Sequence, residues 1–583
     1  MADFRFTAVS TNPMQNTLRF ITLISFVLLN VNGVFAQVYA RNGLVVSSSA
    51  IASEVGRDIL KRGGNAVDAS VATAFALAVT HPTAGNIGGG GFLVFMDSSG
   101  TATSIDFREK APLKASPTMF LNEEGELNKG KNLYGSESTV NHIGALSVGV
   151  PGTVAGLYLA HQKYGSLPWS DLVQPAIDLA EKGFPLNWSL FQAAAYFEAN
   201  SPIPFLRDYF KNDQGEQLEF GELWKQPELA KTLKEIRDYG RDGFYKGFVA
   251  KEIVRFMKEN GGIITLEDLD RYTAVERKPI KGSFKGYDIY SMPPPSSGGV
   301  ALIEMLNIME NAHLDSVEFN SAAYFHLIAE TMRRAYADRA EYLGDPDFNL
   351  TMPLDKLTSK AYALSRFNSI DLTQASISDS SKFGQMYDGS HTTHFSVADA
   401  FGNVVSLTYT LEHSYGSGMG SSALGFLFNN EMGDFNPQPG STNRDGQIGT
   451  DPNLIQPEKR MLSSMCPTIV AKDGRAFLVI GSPGGRTIIN TVFQTVLCVL
   501  AYDMPVDKAI EATKIHHQWL PDRMYYEEAL LSPDTRLVLE EMHHTLVPVK
   551  VLGQLMGIQI DADNKIMMGA SDSSSPDGGA VGY

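Results

Sequence analysis

A threonine hydroxyl is a poor nucleophile unless a base sits beside it, which makes the surroundings of Thr392 the most informative stretch of this 583-residue chain. His391-Thr392-Thr393-His394-Phe395-Ser396-Val397 has the β-branched and aromatic content of a strand, Asp399 to Asn403 that of a turn, and Val404 to Thr410 alternates apolar and hydroxyl side chains as a return strand. Folded about Phe401, the register opposes Thr392 and Thr410 on one face of the ribbon. One known way to activate such a hydroxyl is a threonine whose own freed α-amine serves as base. Such a residue must begin a chain, and Thr392 is internal. A catalytic Thr392 therefore requires cleavage between His391 and Thr392.

Other residues could bind or polarise a substrate. Apolar Phe477 to Ile480 runs into Gly481-Ser482-Pro483-Gly484-Gly485 and then a helical pattern. Amides at such a junction favour negative charge, so Gly484 and Gly485 fit either an oxyanion hole or a plain tight connection. Arg108, in Asp106-Phe107-Arg108-Glu109, is a bidentate carboxylate clamp or half of a surface ion pair. Ser463 and Ser464 offer hydroxyls to a carboxylate or to a turn. Glu431 and Asp434 suit an ammonium group or a solvated loop. No metal is expected: His391 and His394 have opposite strand parity, and neither they nor His516 and His517 have suitably spaced carboxylate or cysteine partners. The run Gly85 to Gly91 precedes a strand instead of joining a strand to a helix, which argues against a dinucleotide cofactor.

A net charge of −17 argues against a nucleic-acid partner. Arg19, the apolar run Phe20 to Val31 and the small residues of Val34-Phe35-Ala36 read as a signal peptide over residues 1–36, giving an exported, periplasmic or secreted protein. The run is shorter than the roughly 20 apolar residues a spanning helix needs. Cys466 and Cys498 sit in apolar surroundings and read as buried free thiols.

The elements that must position these residues follow from periodicity. Strands are expected at Leu44 to Ser47, Phe92 to Met96, Thr103 to Phe107, Phe426 to Phe428, Thr468 to Val470 and Phe477 to Ile480. Helices are expected over Ala50 to Arg62, from an Asn65 cap to Val79, over Val300 to Met309 after a rigid Pro293-Pro294-Pro295 turn, from an Asn320 cap to Tyr342, and over Thr487 to Tyr502 and Val506 to Thr513. The charges Arg333, Arg334, Asp338, Arg339 and Glu341 read as a solvated or salt-bridged helix face. Residues 369–391 are polar and serine-rich, the composition of an exposed flexible linker where a chain can be opened. Sheets flanked by helices indicate an α+β layered fold.

Thr392-Thr393-His394-Phe395-Ser396-Val397, the pair Glu431 and Asp434, Leu462-Ser463-Ser464-Met465 and Gly481-Ser482-Pro483-Gly484-Gly485 together resemble the γ-glutamyltranspeptidase family, as do Gly64-Asn65-Ala66-Val67-Asp68-Ala69, Asp106-Phe107-Arg108-Glu109 and Val150-Pro151-Gly152. The resemblance implies a four-layer αββα sandwich of the N-terminal-nucleophile hydrolase type, self-cleaved into a large subunit, 37–391, and a small subunit, 392–583. It implies Thr392 as nucleophile, Thr410 as supporting hydroxyl, Arg108, Ser463 and Ser464 on the substrate α-carboxylate, Glu431 and Asp434 on its α-ammonium, and the Gly484 and Gly485 amides on the oxyanion. Glutathione is then the expected donor, amino acids or dipeptides the acceptors, and no cofactor is required. Glu412 stands where many members have asparagine and Glu431 where some have glutamine, giving a more negative ammonium site. Gln438 to Lys459 is long enough for a lid but lacks the aromatic residue that often closes it. Rival expectations are a cephalosporin acylase-like amidase and an exported amino-acid-binding protein.

Overall fold

The computed structural model describes residues 37–212, 214–378, 384–385, 392–441, 446–447 and 449–583. The segment 1–36, His391 and most of 379–391 lie outside these residues, so the expected signal peptide and the residue before Thr392 have no structural counterpart here.

Two seven-stranded antiparallel sheets form the centre. The first runs Gly579–Gly582, Gly43–Ser47, Thr392–Asp399, Val404–Thr410, Gly90–Met96, Ala102–Phe107, Val275–Arg277, and the second Gln37–Ala40, Ile566–Ser571, Met556–Asp561, Arg475–Gly481, Thr468–Lys472, Tyr287–Ser291, Ile280–Phe284. Alternation along the strands sorts side chains between two cores. In the first sheet Val45, Leu93, Phe95, Phe395, Val397, Val405 and Leu407 pack with the helices Ala50–Lys61, Ala66–Thr80 and Trp169–Lys182. Their neighbours Leu44, Val46, Phe92, Val94 and Met96 join Val470, Leu478, Ile480 and Ile558 of the second sheet. Helices Gly298–Met309, Ala322–Tyr342 and Thr487–Ala501 share that second core, which completes an αββα sandwich.

The hairpin is held at its turn. Asp399 Oδ1 accepts from the amides of Phe401 and Asn403, both at 2.9 Å, while Oδ2 accepts from the Ala66 amide at 2.9 Å. Ala66 begins a fully buried helix whose Asn65 cap and Asp68 form a capping box. One aspartate thus ties the hairpin turn to a helix start, and loss of such a cap costs about 0.5–2 kcal/mol.

Three expectations need correction. Phe426 to Phe428 is not a strand: Leu427 makes an isolated bridge to Gly420, while Phe426 and Phe428 pack against one another in the first core. Burial of aromatic side chains, not strand pairing, explains the apolar run. The long helix is capped by Ser321, whose Oγ accepts from the Tyr324 amide, whereas Asn320 precedes it in the left-handed region at φ 62°. Residues 369–378 are not a loose linker, because the Ser376 and Ser378 amides donate to Glu330 and Asp522 at 3.1 and 2.7 Å.

Candidate active site

Thr392 is the first residue of its strand, and its register partner is Thr410. Even-numbered residues of this hairpin face the second sheet: Ser396 and Ser406 donate to the carbonyls of Met556 and Ile480 at 3.1 and 3.0 Å. Thr392 has the same parity and lies at the end of that face. The two hydroxyls are 3.4 Å apart, and Thr410 Oγ1 also accepts from the Glu412 amide at 2.8 Å. The glycine run supports this end of the hairpin. Asn86 Nδ2 donates to the Thr410 carbonyl at 2.9 Å, and a Cβ on Gly89 would lie 2.0 Å from that same oxygen.

His394 is structural. Its Nδ1 and Nε2 meet Thr408 Oγ1 and Ser396 Oγ at 2.8 and 3.1 Å, and burial pushes it down to about 3, so it is neutral in the sheet interface. His516 is similarly engaged by Asn490 and Gln518.

A cavity of 150 Å³ opens at Thr392. Of the expected residues, Thr392, Thr410, Arg108, Glu412, Glu431, Asp434, Ser463, Ser464 and Gly485 line it. Gly484 lines the adjoining cavity instead. Both glycines follow the strand Arg475–Gly481 and take positive φ, 136° and 55°. Their amides donate to no described residue, whereas the Gly484 carbonyl accepts from Thr487. Two free amides at the start of the helix Thr487–Ala501 can stabilise an oxyanion.

Arg108 is not on the surface. Its guanidinium is buried, pairs with Glu431 and Asp434, and lies 3.7 Å from Glu109. Burial opposes its charge, but the three carboxylates more than compensate and hold it above its ordinary value. Glu431 and Asp434 occupy a short 3-10 turn anchored by Asn429, which accepts from the Glu431 amide and donates to the Gly88 and Gly149 carbonyls. Burial pushes Glu431 and Glu109 well above the carboxylate range against the opposing charge of Arg108; repulsion from Asp434 and Glu412 adds to the shift of Glu431, and repulsion from Glu431 to that of Glu109. Glu412 is pushed up to about 8 by burial, with His413 opposing the shift, and its backbone sits in the left-handed region at φ 77°. Glu431 and the Glu412 carboxyl are therefore buried and Asp434 is half-buried beside them, so the acids do not form a solvated loop.

Among the titratable side chains that line it, sequence reasoning missed four as site residues: His142, Arg339, His413 and Arg486. Arg339 belongs to the charged helix face, yet it is buried and donates to Ser297 Oγ and Ser464 Oγ at 2.8 and 3.0 Å. The expected proline turn completes this support, since the Pro295 carbonyl accepts from the Ser463 amide and the Ser463 carbonyl from the Ser297 amide. His142, Glu412 and His413 bring ligand-type atoms within 4.8 Å of one another, the one such group among the described residues. Asn430 accepts from the His413 amide and donates to the His142 carbonyl and to His413 Nδ1. That favours the His413 proton on Nε2, and the two imidazoles flank Glu412 Oε1, with His142 Nδ1 at 2.8 Å and His413 Nε2 at 3.6 Å.

A hydroxyl at a strand end, free amides after a facing strand and a buried cation among acids suit acyl transfer from a charged amide substrate. The gamma-glutamyltranspeptidase family model matches residues 52–582. The glutathione hydrolase proenzyme of Escherichia coli (strain K12) is 45% identical over 559 residues, covering 94% of this chain and 93% of that protein. Among solved structures, cephalosporin acylase from Bacillus halodurans has a TM-score of 0.79 at 25% identity, covering 94% of this chain and 97% of its own. The γ-glutamyltranspeptidase of Helicobacter pylori has a TM-score of 0.53 at 46% identity, covering 56% of this chain and 90% of its own. The chain belongs to the gamma-glutamyltranspeptidase family.

Proposed function

We propose that the protein is a self-processed γ-glutamyltransferase and glutathione hydrolase whose nucleophile is Thr392. The observation that carries this reading is the meeting of Thr392, its partner Thr410 and the Arg108, Glu431 and Asp434 group in one cavity. Cleavage between His391 and Thr392 separates a large subunit, 37–391, from a small one, 392–583, and frees the α-amine of Thr392. The amine takes the Oγ1 proton as Oγ1 attacks the γ-carbonyl, and the Gly484 and Gly485 amides hold the oxyanion. The amine then returns the proton to the leaving nitrogen, leaving a γ-glutamyl ester on Thr392. Water or the amine of an amino acid or dipeptide resolves the ester.

The α-carbon of a γ-glutamyl group carries a carboxylate and an ammonium side by side. The contact of Arg108 with Glu431 and Asp434 suits that pair of charges, since each protein group can exchange its present partner for one end of the substrate. Ser463 and Ser464 add hydroxyls to the carboxylate end, and Glu412 adds negative charge to the ammonium end. Gripping both charges fixes the carbonyl against Thr392. Residues 1–36 are proposed to direct export to the periplasm or beyond and to be removed; no helix among the described residues is long and apolar enough to cross a membrane.

Thr392→Ala is expected to leave a single intact chain on denaturing electrophoresis and to abolish γ-glutamyl-4-nitroanilide hydrolysis. An active preparation consisting of one uncut chain, or turnover by the alanine variant, removes Thr392 from the mechanism. An acylase-like specificity is separated by glutaryl-4-nitroanilide, which lacks the α-ammonium; its cleavage in preference to the γ-glutamyl compound would favour that reading.

A further inference from the structure

Arg486 directly follows the Gly484-Gly485 pair and lines two cavities. One contains Thr392. The other, of 590 Å³, is lined by His516, Gln518, Tyr525 and Lys550 among others, and by none of Arg108, Glu412, Glu431, Asp434, Ser463 or Ser464. Arg486 therefore borders both the Thr392 cavity, where its charge interacts with that of Asp434, and a second cavity that the residues of the amino-acid end do not line.

Its guanidinium also differs from its neighbours. Arg108 is bound by acids and Arg339 by two serine hydroxyls, but the partly buried Arg486 side chain donates to no acceptor and meets no carboxylate at ion-pair distance among the described residues. Its backbone is fixed, because Tyr336 Oη donates to the Arg486 carbonyl and the helix begins at the next residue. A planar fork of donors held in a cavity wall is suited to a carboxylate.

We propose that Arg486 binds the carboxylate of the group on the far side of the scissile amide: the peptide or amino acid that leaves Thr392 when the ester forms, or arrives as acceptor when it is resolved. This rests on the function proposed above. It places the donor's α-carboxylate at Arg108 and a second carboxylate, borne by the leaving or accepting amine, beyond the oxyanion amides. Amines with a nearby carboxylate, such as dipeptides, are thereby favoured over neutral ones.

The probes are γ-glutamyl-4-nitroanilide and γ-glutamyl-3-carboxy-4-nitroanilide, which differ only by a carboxylate on the leaving group. The wild-type enzyme is expected to prefer the carboxylated compound in kcat/KM, and Arg486→Ala to lower that preference ratio about tenfold, with Arg486→Lys between them. Transfer to glycylglycine relative to glycylglycine amide is expected to fall in parallel. A ratio that is the same in wild type and both variants overturns the inference. If neither variant matures, the wild type decides: its preference must weaken as salt is raised, and a salt-independent ratio overturns the inference equally. A processed wild type that cleaves neither anilide overturns the functional reading and this inference with it. Cleavage of both without a preference that depends on Arg486 overturns this inference alone.

Discussion

Two buried clusters of charge in this molecule are built from the same residue types and behave oppositely. On the long helix, Glu330 lies 3.0 Å from Arg333 and 2.7 Å from Arg334, accepts from the Ser376 amide, and shares Arg333 with Asp522. Burial works against its charge, but the two arginines win and hold it down to about 2. At the cavity, Arg108 is the one cation at ion-pair distance from both Glu431 and Asp434 among the described residues, with Glu109 and Glu412 close by. There burial wins, and Glu109, Glu412 and Glu431 are all pushed up. The first cluster is complete in itself. The second has too little positive charge for its acids, and an ammonium brought by a substrate supplies it.

If the difference is one of completeness, breaking the helix cluster should harm the fold and breaking the cavity cluster should harm binding. Glu330→Gln leaves two arginines facing one another with only Asp522 nearby, and a buried pair broken in this way costs about 3–5 kcal/mol. A large fall in the thermal midpoint is expected, with the KM of the remaining folded enzyme near wild type. Since Glu330 is depressed in the fold, its stabilisation is present above the ordinary carboxylate range and is lost as pH falls toward 2; the variant should lack this acid-side decline. Asp434→Asn removes a binding charge from a cluster that already has excess, so its thermal midpoint should change little. Its kcat/KM for γ-glutamyl-4-nitroanilide should fall by about 30- to 1,000-fold, or 2–4 kcal/mol, mainly through KM. The reverse pattern, a destabilised Asp434→Asn with unchanged KM, would erase the distinction between the clusters.

A smaller effect tests Arg339, which belongs to the helix of the first cluster but serves the second. It lines the cavity wall and is engaged there by Ser464 and by Ser297 behind it, so it is treated as a positioning residue for Ser464. Arg339→Lys keeps the charge and loses the fork that reaches Ser297 and Ser464 together. KM for the donor is expected to rise about three- to tenfold with kcat less affected, consistent with about 1 kcal/mol per lost hydrogen bond. Equal losses in Ser464→Ala and in the double variant would show the two acting as one unit.

How far each cluster could be read from sequence follows from the range of the forces involved. The hairpin was legible because turn chemistry and period-two alternation are local: Asp399 and Gly402 make the turn, and Thr392 pairs with Thr410 as the spacing required. The acids and serines of the cavity were legible as motifs, with their burial hidden. Arg339 was not, because a charged helix face has the same sequence pattern whether it meets water or a second sheet's loops. For Phe426 to Phe428, aromatic packing in the tertiary structure replaced the strand pairing that local propensity favours. Arg486 did leave a signal, since a cation at the first turn of a helix opposes the dipole and is an uncommon choice without another use.

The finest test concerns Glu412, the acid that departs from the usual asparagine. Burial pushes its carboxyl up to about 8, Asp434 adds to the shift, and His413 and Arg108 oppose it. His142, 2.8 Å away, is pushed down to about 4 by burial and so is a neutral partner across the working range. Glu412 therefore ionises in the fold only as pH rises through 8. Two consequences have opposite signs. The raised value means that its contribution to stability is full below the ordinary carboxylate range and is lost on passing 8, so Glu412→Gln should gain thermal midpoint over wild type on the alkaline side. For binding, the ionised form adds attraction for the substrate ammonium, so wild-type KM should fall between pH 6 and about 8.5, by roughly tenfold or less, while Glu412→Gln stays flatter. Identical pH profiles for KM in the two enzymes would show that Glu412 remains uncharged in the complex, and that Asp434 and Glu431 alone meet the incoming cation.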